Sequence, residues 1–332
     1  MTIETTYFLG AGASKAFYPT LPLASEMTLK YLLEPSGFST GSKAVAQVKQ
    51  YMDDQPWLKE KRLTTFEKIY LDFPENLGPF WPRENLEACL FEKLHLPDNI
   101  SAGGLDVWLD ESLNRGHPIL TTNYDTVIEF EIEHHPAWFG SGGLGPVDYG
   151  VPERLCLPLL SEGYRLDGRS DRLLLLKLYG SISWSRCDEC GKYQLDRLYQ
   201  RGARDAIIGR GKCPGCGGTR RNAVFVPLVG QKVPNDRALD SIWKKAEQVL
   251  SDSREIVFAG FSLSPDDQGI RDLLKRSFSA GHTSKVAVVL DASHPEIVDE
   301  YRKIYDKCCV RPYDSGWVQY LKERTAGRGF RY

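Results

Sequence analysis

The stretch YFLGAGAS, residues 7–14, constrains the fold of this chain more than any other. Its apolar half, Tyr7 to Leu9, stops abruptly at GAGAS, residues 10–14. A buried strand that turns directly into a helix has this composition, because glycines permit the tight turn and the first N–H groups of the helix then point at an anion. The third glycine of the usual dinucleotide fingerprint is absent, so a plain strand–helix turn remains an alternative to a phosphate-binding turn.

The bulk composition is that of an ordinary globular protein. The 332 residues suffice for one large α/β domain with an insertion or for two modest domains. A net charge of −2 gives no overall attraction to nucleic acid or to an anionic membrane. The longest apolar runs, such as Leu173–Leu176 and Val286–Leu290, have the length of strands and are too short to span a bilayer. With no charged leader before the first predicted strand, we expect a soluble, cytoplasmic protein without a membrane or nucleic-acid partner.

Two later strands are predicted to end in polar segments. Residues 118–125 read PILTTNYD and run into the helical pattern TVIEFEIE, whereas residues 172–184 read RLLLLKLYGSISW, an apolar strand that ends at Tyr179. In doubly wound sheets, ligands bind beyond the carboxyl ends of the strands, so Asn123 and Asp125 are expected at the same edge as GAGAS. Asp125 also suits a helix cap, and the two roles are compatible.

The last third of the chain returns to alternating strands and helices. Residues 223–229, 255–260 and 285–290 predict strands, and residues 238–251 predict an amphipathic helix. The second of these strands runs into GFSLSPDD, where Ser264 and Pro265 are typical of a helix start before QGIRDLLKRSF. Asp291 follows the last strand, where an acid often binds a ribose hydroxyl; capping the helix after Pro295 is the alternative.

The segment before the second strand is helical and polar. A helix begins near Lys15, a second is predicted from Glu26 with Ser25 as its N-cap, and apolar residues then recur every three or four positions to about residue 115. This pattern predicts a helical subdomain that covers one edge of a sheet. The glycine-rich stretch of residues 140–150 predicts a flexible loop, either a plain connection or a cover for the site.

Four of the eight cysteines form two C-x-x-C pairs, Cys187/Cys190 and Cys213/Cys216, separated by 22 residues. This spacing predicts a tetrahedral, structural zinc site, because four thiolates leave no position for water; a redox pair or metal-free knuckles are the alternatives. Residues 186–222 carry nine Lys or Arg against four acids, which is typical of a solvated surface rather than a docking site. Adjacent apolar residues predict that Cys308 and Cys309 are core thiols.

Six segments occur in one order from residue 7 to about residue 320: GAGAS at 10–14, LPLASEM at 21–27, TTNYD at 121–125, KLYGSISW at 177–184, the paired cysteines, and FAGFSLSPDD at 258–267. Each is a weak indication alone. Together they make the chain resemble the sirtuin and sirtuin-like superfamily, and more closely its bacterial branch tied to anti-phage defence.

The resemblance implies an α/β fold, with a Rossmann-like parallel sheet, helices on both faces, a helical insert and a small zinc-ribbon module. The implied boundaries place the NAD-binding domain at 1–24, 116–184 and 223–332, the helical insert at 25–115 and the zinc ribbon at 185–222. The implied NAD-binding residues are Gly10, Ala11, Gly12 and Ser14 at the pyrophosphate, Thr122, Asn123 and Asp125 at the nicotinamide ribose, Gly260, Phe261 and Ser262 on the adenosine side, and Asp291 at the adenine ribose.

One departure from the family concerns the general base. The family has His-Gly where this chain has Tyr179-Gly180, and none of the six histidines lies in a matching motif. His117 begins the strand that ends in TTNYD, so it should lie at the opposite end of the sheet. A tyrosine with an ordinary pKa of about 10 is a poor base at neutral pH but a good hydrogen-bond donor.

Family members cleave the nicotinamide–ribose bond of NAD, and the acceptor is water in the defence enzymes and an acyl-lysine in the deacylases. We expect NAD hydrolysis with Asn123, Asp125 and Tyr179 as catalytic residues, since the lost histidine harms acyl transfer more than hydrolysis. The alternatives are a protein that binds NAD or ADP-ribose with little turnover, and a lysine deacylase. The resemblance also implies a homo-oligomer or an activating protein partner.

Overall fold

Two β-sheets organise the chain in the computed structural model, which describes residues 2–34, 39–61, 63–74, 82–96, 105–134, 147–156, 173–195, 212–224 and 236–325. The strands are β1 Ile3–Leu9, β2 Ile119–Thr121, β3 Val147–Asp148, β4 Leu173–Lys177, β5 Gly180–Cys187, β6 Tyr193–Leu195, β7 Arg220–Val224, β8 Ser253–Ala259, β9 Lys285–Val289 and β10 Cys309–Tyr313.

The helices follow the strands in the alternation that the sequence predicts. They are α1 Ala11–Phe17, α2 Leu29–Leu32, α3 Ser39–Asp54, α4 Pro56–Glu60, α5 Phe66–Ile69, α6 Pro82–Leu94, α7 Leu105–Arg115, α8 Val127–His134, α9 Arg237–Asp252, α10 Gln268–Ala280, α11 Pro295–Ile304 and α12 Gly316–Thr325. No helix of the described residues is long and apolar enough to cross a membrane.

The larger sheet is parallel throughout, with the order β10-β9-β8-β1-β2-β4-β3. β1 lies in its middle, and the chain places β2 on one side of it and β8 on the other. Successive side chains of β1 point to opposite faces. Tyr7 packs against Trp108 of α7 and Trp317 of α12, whereas Phe8 contacts Phe258, which in turn packs on Tyr301 of α11. Helices therefore cover both faces, which confirms the predicted α/β architecture.

The smaller sheet is antiparallel, with the order β6-β5-β7. Only two residues separate the end of β4 from the start of its central strand β5, so the large sheet leads directly into the cysteine pairs. The predicted strand at 223–229 begins earlier, at Arg220, and belongs to this small sheet; residues 225–229 lie outside the described residues.

Two predicted helix starts differ from the structure. The first helix begins at Ala11 rather than near Lys15. The prediction that Ser25 caps a helix from Glu26 is wrong, because Thr28 caps α2 by accepting a hydrogen bond from the N–H of Tyr31. The Glu26 carboxylate instead accepts from the Leu23 N–H at 2.7 Å and pairs with Lys15 at 2.6 Å, which closes a turn.

The prediction of two core thiols at Cys308 and Cys309 is also wrong. Cys309 is exposed and Cys308 is half-buried, because β10 is an edge strand of the large sheet. The helix predicted for QGIRDLLKRSF is α10, and Asp267 occupies its N-cap position. Of the predicted loop at 140–150, residues 140–146 lie outside the described residues and Val147–Asp148 form β3.

Candidate functional site

The carboxyl ends of five parallel strands lie side by side in register. Across the sheet, Val289 pairs with Ala259, Ala259 with Leu9, Leu9 with Thr121 and Thr121 with Lys177. The segments that follow these strands therefore share one edge, which we call the rim. It comprises residues 10–14, 122–125, 178–181, 260–267 and 290–291.

Three glycines let two rim segments touch through their backbones. Gly260 has φ +58°, and a Cβ atom there would lie 2.1 Å from the nitrogen of Ala13. A Cβ on Gly10 would lie 2.5 Å from the Gly260 oxygen, and one on Gly12 would lie 2.8 Å from the Gly260 Cα. Only glycine fits such an approach. These residues therefore join the turn after β1 to the turn after β8.

This packing uses two of the N–H groups that the sequence assigned to an anion. The Gly10 N–H donates to Ala259 O at 2.9 Å, and the Gly12 N–H donates to Gly260 O at 3.0 Å. The Ala11 N–H, at the first turn of α1, has no acceptor among the described residues. Ala11 and the Ser14 hydroxyl are thus the groups of this turn that remain for a ligand.

Asn123 is held in one orientation by the turn after β1. Its Nδ2 donates to Gly10 O at 3.0 Å and to Ser14 Oγ at 3.0 Å. Its own N–H donates to Thr121 Oγ1 at 3.0 Å, and that hydroxyl donates to Leu9 O. Because an amide nitrogen carries two hydrogens and both are used, Asn123 offers a ligand its carbonyl oxygen, a hydrogen-bond acceptor.

Asp125 has a local role at the start of α8. Its Oδ1 accepts a hydrogen bond from the Val127 N–H at 3.1 Å, which is the capping role that the sequence left open. Buried Lys177 donates its Nζ to the backbone oxygen of Asp125 and to Glu129 Oε1, the latter at 3.0 Å. A second role for Asp125 toward a ligand stays a prediction.

Tyr179 follows β4 and is only 6% exposed, with its ring 6.0 Å from the ring of Trp243. Burial raises the pKa of Tyr179 well above its ordinary value, and the charges of Asp267 and Glu67 raise it further. The hydroxyl therefore keeps its proton at neutral pH, so it can donate a hydrogen bond but cannot serve as a base.

Sequence reasoning missed Glu67 and Asp267, the two acids whose charges act on Tyr179. Burial raises the pKa of Glu67, in α5, to about 7, and that of Asp267, in the segment after β8, to about 6. Both charges also raise the pKa of Tyr124. In the sequence, Glu67 fits the polar face of a helix and Asp267 fits a helix start, so only the fold shows that they approach each other.

The remaining predicted residues differ in exposure. Ser262 and Asp291 are exposed, and Thr122 is half-buried, with its N–H directed at Leu9 O. The Phe261 side chain is buried against Phe8, with ring centroids 5.0 Å apart, so only its backbone is left for a ligand. Asp291 does not cap α11, whose N-cap position is occupied by His294.

His117 lies at the opposite edge of the sheet from the rim, as predicted. It precedes β2 and is buried, and its Nε2 is 3.9 Å from Glu4 Oε2. Burial lowers the pKa of His117. This imidazole is therefore neutral and separated from the rim by the length of a strand.

The four paired cysteines converge at the end of the small sheet. Their Sγ atoms all lie within 4.8 Å of one another, with Cys187–Cys216 at 3.5 Å and Cys190–Cys213 at 3.8 Å. A tetrahedral zinc ion with Zn–S bonds of about 2.3 Å needs sulfur atoms about 3.8 Å apart. The cluster therefore fits a zinc ion, with Cys187 and Cys213 buried and the other two exposed.

The backbone around the cysteines is shaped for metal binding. Each C-x-x-C pair closes a turn, with Gly191 N–H donating to Cys187 O and Gly217 N–H to Cys213 O, and both glycines have positive φ. Although burial raises the pKa of the Cys213 thiol, N–H groups of Gly215 and Cys216 outweigh it and lower that pKa to about 7. A thiolate, the form that binds metal, is thereby favoured at Cys213, whereas the pKa values of the other three thiols are raised and a bound cation would lower them.

No family model and no curated protein matches the chain. Among solved structures, a sirtuin solved to explain substrate affinity is 13% identical with a TM-score of 0.44, over 99% of this chain and 95% of that one. Sir2 with a peptide and NAD+ gives the same values. A Sir2 homologue in complex with 2'-O-acetyl ADP ribose is 14% identical with a TM-score of 0.46, over 100% and 94%. At TM-scores below 0.5, such likeness supports no statement about activity.

Proposed function

We propose that this chain binds NAD along the rim and hydrolyses its nicotinamide–ribose bond, releasing nicotinamide and ADP-ribose. The order of the strands in space carries the proposal. Across the sheet, β9, β8, β1, β2 and β4 are neighbours, although their order along the chain is β1, β2, β4, β8, β9.

The spatial order follows the parts of the dinucleotide. Asp291 after β9 is assigned to the adenine ribose, Gly260 and Ser262 after β8 to the adenosine side, and the turn after β1 to the pyrophosphate. Asn123 after β2 is assigned to the nicotinamide ribose, and Tyr179 after β4 lies beyond it. The five segments, each assigned from its own motif, thus follow one another along the rim. From the first to the last, this path crosses four strand spacings, or about 19 Å.

The reversal of strand order at β1 also favours this location. The chain continues from β1 to β2 on one side, and it later returns to β8 on the other. In open α/β sheets, a crevice for ligands forms at the carboxyl ends of strands where the order reverses. The turn after β1, with Ala11 N–H and Ser14 Oγ, lies at that point.

Asn123 supplies the chemistry that bond cleavage needs. Departure of nicotinamide leaves a cation-like ribosyl carbon, which a fixed acceptor oxygen stabilises without reorganisation. The Asn123 Oδ1 is such an oxygen because its amide nitrogen is already held by Gly10 and Ser14. Hydrolysis then requires only a placed water and a group that takes its proton.

The buried, protonated Tyr179 favours hydrolysis over acyl transfer. Transfer of an acyl group to a ribose oxygen needs a base at the position of the family histidine, and loss of such a base typically costs a factor of about 10² to 10⁴ in rate. The same observation favours a second candidate function, which is binding of NAD or ADP-ribose with little turnover.

The test is incubation of the purified protein with NAD, with nicotinamide and ADP-ribose measured by chromatography. We expect release by the wild type, loss in Asn123→Ala, and no change in the exposed control Asn114→Ala. NAD binding without nicotinamide release supports the second candidate. Acceleration by an acetyl-lysine peptide, with formation of O-acetyl-ADP-ribose, contradicts hydrolysis and supports a deacylase.

The proposal extends to anti-phage defence, which the family resemblance implies. Cells that express the wild type should lose NAD after phage infection, whereas cells that express Asn123→Ala should keep it. Equal NAD in both strains through infection contradicts this role but leaves the reaction itself untouched. Purification of the active form from infected cells would also show whether an oligomer or an activating partner is involved.

A further inference from the structure

We propose that Glu67 is the general base of this reaction and takes the proton of the attacking water. The inference rests on the proposed function, because it assigns a group to the step that Tyr179 cannot perform. It places the helical insert, through α5, in the active site rather than at the edge of the sheet alone.

Contacts on both sides of Glu67 place α5 next to the rim. On one side, the ring of Phe66 packs edge-on against the ring of Tyr124, 6.4 Å away between centroids. On the other side, Lys68 Nζ pairs with Asp266 Oδ2 at 3.1 Å. Glu67 therefore lies between the segment after β2 and the segment after β8, which flank the turn after β1.

The start of α5 is itself held by the chain just before α2. Phe66 N–H donates to Met27 O at 2.8 Å, and Phe66 and Ile69 are fully buried. One face of this short helix is thus packed in the core, so Glu67 keeps a fixed place relative to the rim. A fixed carboxylate is what a general base requires.

Four titratable groups from different elements interact here. The charges of Glu67 and Asp267 both raise the pKa of Tyr179 and of Tyr124. Asp267 also raises the pKa of Glu67, and the ammonium of Lys68 opposes it. The groups that interact electrostatically with Glu67 therefore come from the segments after β2, β4 and β8, which are the same segments assigned to the nicotinamide half and its neighbour.

Asp267 and Glu67 differ in how easily they ionise. Asp267, with a pKa of about 6, is favoured as a carboxylate by Arg271 and by a backbone hydrogen bond at Ser264. Glu67, with a pKa of about 7, lies near the operating pH, where a base is most effective. Two buried carboxyls with raised pKa values at one site are candidates for acid–base roles.

The reaction balances with Glu67 as the proton acceptor. The C1'–N bond breaks, and its electron pair stays on the nicotinamide nitrogen, which becomes neutral. The water oxygen forms the new bond to C1', and its proton moves to the Glu67 carboxylate and later to solvent. The neutral amide of Asn123 is not a base, and the Asp125 Oδ1 already accepts a hydrogen bond from the Val127 N–H.

The experiment is the pH dependence of nicotinamide release by four proteins: the wild type, Glu67→Gln, Asp267→Asn and the exposed control Glu60→Gln on α4. For the wild type, kcat/KM should rise with pH and level off above about 7. Glu67→Gln should lose 10²-fold or more of the rate, within the range of about 10² to 10⁴, together with the rise. Asp267→Asn should move the midpoint to lower pH, because the charge that raises the Glu67 pKa is gone.

Measurements of folding and NAD binding distinguish a loss of catalysis from a loss of structure or of substrate binding. Glutamine matches the protonated carboxyl that burial favours, so Glu67→Gln should melt no lower than the wild type and should still bind NAD in calorimetry. A wild type that binds NAD without turnover overturns the proposed reaction and this role with it. A wild type that turns over while Glu67→Gln keeps both rate and pH profile overturns the role of Glu67 alone.

Discussion

The parallel sheet and the four-cysteine module are stabilised in different ways. The sheet is held by a continuous hydrophobic core, in which residues such as Tyr7 and Phe8 are completely buried. In the four-cysteine module, residues 185–222, Tyr193 still packs in that core, whereas Cys187 and Cys213 form a separate two-residue cluster. Burial of apolar area can fold the sheet, whereas the two cysteine turns need a metal ion to supply the missing free energy. The comparison teaches that a substitution at the rim and the loss of metal from the module should each unfold one region and leave the other intact.

Removal of the metal should have the largest effect. Zinc binding is worth about 10–16 kcal/mol in small modules, so Cys187→Ser should lose one zinc per chain and the order of the two cysteine turns. Hydrogen exchange should then be fast at the turns of residues 187–191 and 213–217 and remain slow at β1. The exposed Cys309→Ser should keep its zinc. A zinc-free wild type with a reactive Cys187 contradicts the structural role.

Gly260→Ala should damage the rim and leave the metal site intact. The new Cβ would lie 2.1 Å from the Ala13 nitrogen, on a backbone with φ +58°, so we expect a loss of about 2–4 kcal/mol of stability in urea denaturation. NAD binding should be lost and zinc content kept. Gly116→Ala is the matched control, because its φ is +63° but nothing lies within 4 Å. Equal losses in the two variants would show that backbone strain, not contact between the turns, sets the cost.

A buried acid joins the helical insert to the module. Glu87 of α6 accepts hydrogen bonds from Tyr70 Oη and from Asn222 Nδ2 of β7, the latter at 2.9 Å. Burial raises its pKa from 4.5 to about 7. The folded protein therefore holds a proton that the unfolded chain releases, so the stabilisation is complete below pH 4.5 and is lost as pH rises through 7.

Glu87→Gln should remove up to about 3 kcal/mol of this pH dependence, as measured by urea denaturation at pH 5 and pH 8. Glutamine keeps one acceptor oxygen for Asn222 Nδ2, and its amide N–H can donate to Tyr70 Oη, so both contacts remain without the ionisable proton. A smaller slope should remain, because the pKa values of Glu67 and Asp267 are raised in the same direction. Identical slopes in wild type and variant would mean that Glu87 does not titrate in this range.

The smallest effect is expected from Tyr179→His. If Glu67 is the base, an imidazole at the position of the family histidine adds little, and the rate of nicotinamide release should change less than about tenfold. Zinc content should not change. A gain of 10² or more, as general-base catalysis gives, would show that the native protein is attenuated and that Glu67 is not the base.

Local sequence was sufficient for the strands and for the cysteine module. Short apolar runs that end in glycine or polar residues identified β1, β4, β8 and β9, because parallel strands buried on both faces leave this pattern. The C-x-x-C spacing was equally local. Both features depend on neighbours in the chain, which a sequence displays directly.

Contacts between distant residues were not predictable from the sequence. Gly10 and Gly12 suggested a ligand, but their nearest constraint is Gly260, about 250 residues away. Glu67 resembled a solvated helix residue until packing placed α5 against the segments after β2 and β8. The apolar neighbours of Cys309 predicted a core position, whereas the strand order places Cys309 in the edge strand β10.

Calorimetric titration with NAD tests the central claim most directly, with wild type, Asp291→Ala and Asn123→Ala compared. These residues lie at two separate points of the rim, in the segments after β9 and β2. We predict one NAD per chain in the wild type and at least tenfold weaker binding in each variant. No heat with the wild type, or undiminished affinity in both variants, would contradict a dinucleotide that spans the rim.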